Sequence, residues 1–200
     1  MSSAILPPVV REHCAQCQLP TTVCLCAYVH PQTCPLPIWV LQHPSEASHA
    51  KSTVPLLRLA LPELTVKVAE QCAPPKALTE GGWWLLYPDE SAVAIEDIGH
   101  TANSSAELLI KGLIVLDGTW RKTRRLLYVN SWLTTLPKLS FSKAPAGQYT
   151  IRKGPGGQSL STLESVAYVL QHVSTDFSAE PLHTLLAQRV AQFQKFGHKK

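Results

Sequence analysis

The chain has 200 residues, 45% of them apolar and 16% charged, a balance that excludes a disordered chain and suits one hydrophobic core. Its formal net charge of +4 permits nucleic acid as a partner without requiring it. No stretch approaches the ~18 apolar residues of a membrane-spanning helix, and residues 1–10 lack the basic start of a signal peptide and are broken by Pro7 and Pro8, so a soluble cytoplasmic protein with no membrane partner is expected.

Cysteines come first. Cys14 and Cys17 form a CxxC pair and Cys24 and Cys26 a CxC pair, with Pro20 in the loop between them. Paired thiols on tight turns can close a tetrahedral shell, so the quartet reads as a zinc knuckle. In a reducing compartment thiols or metal ligands are expected rather than disulfides. Cys34 and Cys72 stand alone and read as inert core thiols.

Residues 36–42 form an apolar strand that runs into His43-Pro44-Ser45-Glu46. Residues 54–61 read as a short helix stopped by Pro62, residues 64–68 as an alternating strand, and residues 82–88 as a buried strand containing Trp83 and Trp84. The two tryptophans have the bulk a strand beneath helices needs and are expected in the core. Residues 92–106 are polar and read as a connection.

Residues 113–116 are a continuous apolar run, the pattern of a strand covered on both faces of a parallel sheet. The run stops at Asp117-Gly118, where glycine permits a tight turn and Thr119 can cap a helix beginning near Trp120. A carboxylate at the carboxyl end of a buried strand lies where open α/β sheets bind ligands. The helix carries Arg121, Lys122, Arg124 and Arg125, with Thr123, Leu126 and Leu127 left to face inward. An acid, a turn and a basic helix together suit a site that handles a polyanion.

Residues 132–136 end at Pro137, and residues 138–141 form another short strand. Residues 142–158 hold Gly147, Gly154, Gly156 and Gly157 and read as a ligand loop containing Tyr149, Ile151 and Arg152. Ser161 and Glu164 have the spacing of a capping box on a helix reaching about residue 173. A last helix over 181–196 repeats apolar residues at helical spacing and is expected to pack on the sheet.

Asp117-Gly118-Thr119-Trp120 resembles the signature of the DTW-domain family, named for that aspartate, threonine and tryptophan. The cysteine quartet, His43-Pro44, Tyr87-Pro88 and Ser161–Glu164 resemble four further motifs of the family, in the same order, so the likeness runs from Cys14 to about residue 170. Ser52-Thr53 stands where the family usually has Asn-Thr, and no side-chain amide role carries over there. The resemblance implies an α/β, SPOUT-like parallel-sheet fold with a C-terminal trefoil knot. A zinc-binding segment over 1–35 would precede a catalytic domain over 36–200. It also implies a tRNA-uridine aminocarboxypropyltransferase, which moves the 3-amino-3-carboxypropyl group of S-adenosylmethionine to N3 of a uridine at position 47 of the tRNA variable loop and releases methylthioadenosine.

On that reading Asp117 is the general base or the group orienting the uridine, and Thr119 holds the turn or touches the base. Trp120 stacks on a nucleobase or lies in the core. His43, Leu116, Gly118, Leu139, Tyr149, Ile151, Ser161 and Thr162 are expected to line the cofactor pocket, with Glu164 both cap and wall. Arg121, Lys122, Arg124, Arg125, Arg152 and Lys153 are expected on tRNA phosphates, and a monomer is favoured. A SPOUT-type RNA methyltransferase and a non-catalytic zinc-containing RNA-binding module are the two other readings.

Overall fold

The structure is a computed structural model that describes residues 12–98, 110–151 and 159–197. The described strands are β1 (Ile38–Gln42), β2 (Thr65–Val68), β3 (Trp83–Leu86), β4 (Val93–Ala94), β5 (Gly112–Asp117) and β6 (Lys138–Ser140). They form one sheet in the order β2-β1-β5-β3-β6-β4, and every pairing is parallel. All carboxyl ends therefore lie on one edge. The central strand β5 is buried at all six positions, because it has a strand on each side and helices on both faces. β2, at the sheet edge, is largely exposed and carries Lys67.

Side chains leave each strand alternately. The one-turn helix α1 (Pro44–Ala47) follows β1, and Ile38, Val40, Trp84, Leu113 and Val115 point to one face, into a core closed by α2 (Val54–Ala60), α5 (Thr162–Val173) and α6 (Glu180–Gly197). Trp39, Leu41, Trp83, Leu85, Ile114 and Leu116 point to the other, beneath Leu126 of α4 (Trp120–Val129) and Leu133 of the 3-10 turn Ser131–Thr135. The adjacent tryptophans thus serve opposite cores, and both are buried as expected. Trp83 also explains a glycine. Gly112 is its partner in register, and a Cβ there would lie 2.5 Å from the indole ring.

Residues 92–98 depart from the expected connection. Val93–Ala94 adds strand β4 beside β6, and Ile95–Ile98 forms the short helix α3. Its Glu96 is buried and accepts hydrogen bonds from the backbone of Ser142 (3.1 Å) and Lys143 (2.8 Å) and from the Tyr168 hydroxyl (2.9 Å). It thereby ties the start of the loop after β6 to α5. The pattern was illegible because Glu96 is satisfied by backbone groups 46 and 47 residues away.

Burial alone would raise the Glu96 pKa, but the amides of Lys143 and Ser142 and the Tyr168 hydroxyl outweigh it and hold the carboxyl at about 2, against the usual 4.5. Burial and the same carboxylate push Tyr168 up to about 12. A carboxyl with a depressed folded pKa stabilises the fold above its unfolded value and loses that contribution as pH falls through the folded one. Wild-type melting temperature should therefore drop between pH 4.5 and about 2, and Glu96→Gln should be less stable at neutral pH with a flatter profile across that window. Equal slopes for the two proteins would remove Glu96 as a contributor.

Candidate active site and metal centre

Gln42 and Asp117 end adjacent parallel strands and are partners in register, so their side chains leave the sheet together. Both are buried, and Gln42 Nε2 donates to Asp117 Oδ2 at 2.9 Å and to Ser52 Oγ at 3.2 Å. From the facing helix Thr162 Oγ1 donates to Asp117 Oδ1 at 2.6 Å, the short separation of a hydroxyl on a carboxylate. Asp117 also lies near the amino ends of two helices, α4 and α5, whose dipoles present their positive ends to it. Two donors and two dipoles fix its orientation.

A cleft of about 680 Å³ opens over this carboxylate at the sheet's carboxyl edge. It is lined by the ends of β5 (Val115–Asp117) and β6 (Leu139, Ser140), by Phe141, and by residues 159–162, so three segments distant in the chain meet there. Gly118, Thr119, Trp120, Arg121 and Tyr149 also line it. Lys51, Thr53, Leu86, Tyr87, Leu160 and Ser165 line it without having been expected there. Gln42 and Thr53 were legible as polar residues closing apolar or strand-end stretches. Lys51 carried no signal.

The wall holding Tyr149 is built by Glu164. The capping box forms: Ser161 Oγ accepts from the Glu164 amide at 3.3 Å, and Glu164 Oε2 accepts from the Ser161 amide at 2.7 Å. The other carboxylate oxygen, Oε1, accepts from the amides of Gln148 (2.5 Å) and Tyr149 (3.2 Å). One buried carboxylate thus caps a helix and pins a loop across the cleft. Tyr149 then donates its hydroxyl to the Lys51 carbonyl at 2.9 Å, while Lys51 Nζ donates to the Ile151 carbonyl at 3.0 Å. Ile151 serves through that carbonyl and is not part of the lining. Gly147 is needed for the fold of this loop, since a Cβ would lie 2.8 Å from the Ser159 carbonyl oxygen.

Other expected residues sit differently. Thr119 occupies the position before α4 but makes no side-chain cap bond. Its side chain is exposed at the cleft instead. Trp120 is 42% exposed and meets the Tyr87 ring edge-on at 6.2 Å, so it is not a core residue. His43 lies outside the cleft lining. Its Nδ1 accepts from the Ser45 amide at 3.3 Å at the start of the short helix Pro44–Ala47, and its Nε2 is 3.1 Å from Glu70 Oε1. Among the helix cations, Lys122 is 2.6 Å from Oε1 of the buried Glu46 and Arg125 is 3.8 Å from Glu70. Lys122 is thereby tied to the interior. Arg152 and Lys153 lie outside the described residues.

The cysteine quartet forms a second centre. His13 and Pro20 make an antiparallel bridge, and Gln18 takes a left-handed φ of 58°, which lets its amide reach the Cys14 carbonyl at 2.9 Å. The four sulfurs lie within 4.8 Å of one another, with Cys14–Cys26 at 3.6 Å and Cys17–Cys24 at 3.7 Å. A tetrahedron with sulfur arms of about 2.3 Å has edges of about 3.8 Å. The donors and spacing therefore fit a metal ion such as zinc. The Cys17 and Gln16 amides hold the Cys14 thiol down at about 6, while burial and the neighbouring thiols push Cys26 up to about 12, so a metal ion would have to displace protons from the quartet. Leu25, between the second pair, is fully buried in the main core, and Gln192 of α6 donates to the Val23 carbonyl at 3.1 Å. Cys34 and Cys72 are half-buried with thiol pKa values raised, chiefly by burial, which agrees with inert thiols.

A model of the DTW domain family matches residues 11–194. The chain belongs to the DTW domain family. It is 33% identical over 171 residues to tRNA-uridine aminocarboxypropyltransferase 2 of Mus musculus, covering 80% of this chain and 56% of that one. It is 29% identical over 195 residues to tRNA-uridine aminocarboxypropyltransferase 2 of Drosophila melanogaster, covering 90% and 75%. It is 27% identical over 220 residues to tRNA-uridine aminocarboxypropyltransferase A of Arabidopsis thaliana, covering 94% and 82%. The chain spans little more than half the length of the mouse protein and of its Macaca fascicularis counterpart. No solved structure gives a significant match. Within this DTW domain, no described helix is long and apolar enough to cross a membrane.

Proposed function

We propose that this protein is a cytoplasmic tRNA-uridine aminocarboxypropyltransferase that uses S-adenosylmethionine and acts on N3 of the uridine at position 47 of the variable loop. The observation that carries the proposal is the cleft over Asp117, at the sheet edge where α/β folds bind ligands, in a chain whose relatives are named for this activity. Its volume is in the range of small-molecule sites, and Leu86, Leu116, Leu139, Phe141 and Leu160 give it apolar walls around a few fixed polar groups. Such walls suit an adenine ring. S-adenosylmethionine supplies an electrophilic carbon beside its sulfur.

The chain's own contribution is orientation. Which carbon of the donor faces the uridine depends on how the cleft holds it, so geometry selects the product. Asp117, clamped by Gln42 and Thr162, accepts or orients the N3 proton of the uridine. Trp120 and Arg121, at the exposed side of the cleft, meet the base and a phosphate. The SPOUT-like knot belongs to the same proposal; it is supported by Phe141, Tyr149 and residues 159–162, all after β6, lining the cleft beside the end of β5. Chromatography of the nucleoside by-product tests the reading: methylthioadenosine should accumulate in step with tRNA modification, whereas S-adenosylhomocysteine in its place would establish a methyltransferase.

The proposal includes one zinc ion on Cys14, Cys17, Cys24 and Cys26. Elemental analysis of protein purified without chelators should find one zinc per chain. Because Leu25 is anchored in the main core, removing the metal should loosen the amino-terminal segment and leave the sheet folded, measurable as proteolytic cleavage confined to that segment. Protein with no stoichiometric metal would contradict the assignment.

A further inference from the structure

Helix α4 leaves one face bare. Thr123 and Leu126 are buried against the sheet, while Arg121, Arg124, Arg125 and Tyr128 are exposed. Those four stand at i, i+3, i+4 and i+7, which places them in one stripe on the far side of the helix. Tyr128 is 83% exposed and makes no ring contact or hydrogen bond among the described residues. Arg121 and Arg124 make no ion pair among those residues, and Arg125 has only the long 3.8 Å approach to Glu70. Lys122 is excluded from the stripe by its bond to buried Glu46. The stripe begins at the cleft, where Trp120 and Arg121 are part of the lining. Seven residues on from Arg121, Tyr128 lies about 10 Å farther along the helix.

We infer that this face of α4 is a track for unpaired RNA flanking the modified nucleotide, with Arg121, Arg124 and Arg125 on phosphates and Tyr128 stacking on a base a few nucleotides from the one in the cleft. The inference rests on the cleft being an RNA-modifying site and adds to it a requirement for a single-stranded flank. Arginine suits the role because its planar guanidinium binds phosphate through paired bonds. A bare ring beside cations is the element that separates a single-strand track from a plain electrostatic face: unpaired bases offer a π surface to stack on, and a duplex keeps its bases covered. A protein partner would also bury a tyrosine beside arginines; the start of the stripe at the cleft favours RNA.

The test uses the full chain, with a short labelled oligouridylate and a blunt RNA duplex of the same length as probes and fluorescence anisotropy as readout. Tyr128→Ala should weaken oligouridylate binding by roughly fivefold or more, the effect of losing one base–aromatic stack, and leave duplex binding unchanged. Tyr128→Phe should bind as wild type, because stacking needs the ring and not the hydroxyl. Replacing Arg124 and Arg125 with Ala should flatten the salt dependence by about 1.4 units in the logarithmic slope, two lost single-strand phosphate contacts, whereas Tyr128→Ala should not alter it. Unchanged S-adenosylmethionine affinity by calorimetry reports an intact fold. Wild-type oligouridylate affinity in Tyr128→Ala, an equal loss on duplex, or failure of the Phe variant would overturn the track. Absence of transfer by a protein that shows the Tyr128-dependent affinity would instead overturn the reaction proposed for the cleft and leave the track standing.

Discussion

Asp117→Asn is expected to slow transfer to tRNA by about 10²–10⁴-fold, the usual contribution of a positioned proton acceptor, with fold and S-adenosylmethionine affinity preserved. The surroundings make Asn a fair test. Asp117 accepts from Gln42 Nε2 and Thr162 Oγ1, so an amide must turn its nitrogen toward one of them. The Thr162 hydroxyl can rotate to accept, and the Gln42 amide can flip while Ser52 still offers it a partner. The network can therefore rearrange around Asn at a cost of about 1–3 kcal/mol in stability. It cannot restore an acceptor of the imide proton. A residue that only closes the strand-to-helix turn would keep near-normal single-turnover rates as Asn, and that result would withdraw the catalytic role.

Glu164→Ala is expected to cost about 3–4 kcal/mol of stability, near the upper end for one substitution, and to weaken cofactor binding as well. It would remove half of the capping box and leave the amides of Ser161, Gln148 and Tyr149 without their carboxylate, and hydrogen bonds to a charged group are worth about 1.5–3 kcal/mol each before allowing for overlap. The loop wall is lost together with the helix cap. Glu164→Gln retains one accepting oxygen and should recover part of both losses. Urea unfolding midpoints and calorimetric affinity for S-adenosylmethionine measure the two effects. A fall in stability with unchanged affinity would show that Glu164 is a cap and that the loop is positioned by other contacts.

The parallel sheet and the edge that carries the site were legible in the sequence because local pattern determines both. The apolar runs ending in Gln42-His43 and Asp117-Gly118 marked strands, the second as buried on both faces, and their abrupt ends marked the carboxyl edge. The capping box at Ser161 was readable for the same reason, being set by residues three apart. What was not legible depends on pairs distant in sequence. Glu164 reaches Gln148 and Tyr149, 16 and 15 residues back, and nothing in the Ser-x-x-Glu spacing reports those bonds. Lys51 enters the cleft wall through partners about 100 residues away. Lys122 was grouped with its basic neighbours on charge alone, but its side chain falls on Glu46, 76 residues earlier. His43 follows a strand at the functional edge and still lies outside the cleft lining, its ring held by Ser45 and Glu70. Strand ends place a residue at the edge. The turn that follows decides which way it faces.

Mass spectrometry of nucleosides from unmodified tRNA incubated with the protein and S-adenosylmethionine tests the central claim most directly. The account predicts a uridine heavier by one aminocarboxypropyl group, formed by the wild-type chain and strongly reduced with Asp117→Asn. A methylated nucleoside, or no modified uridine from folded protein that binds S-adenosylmethionine, would contradict it.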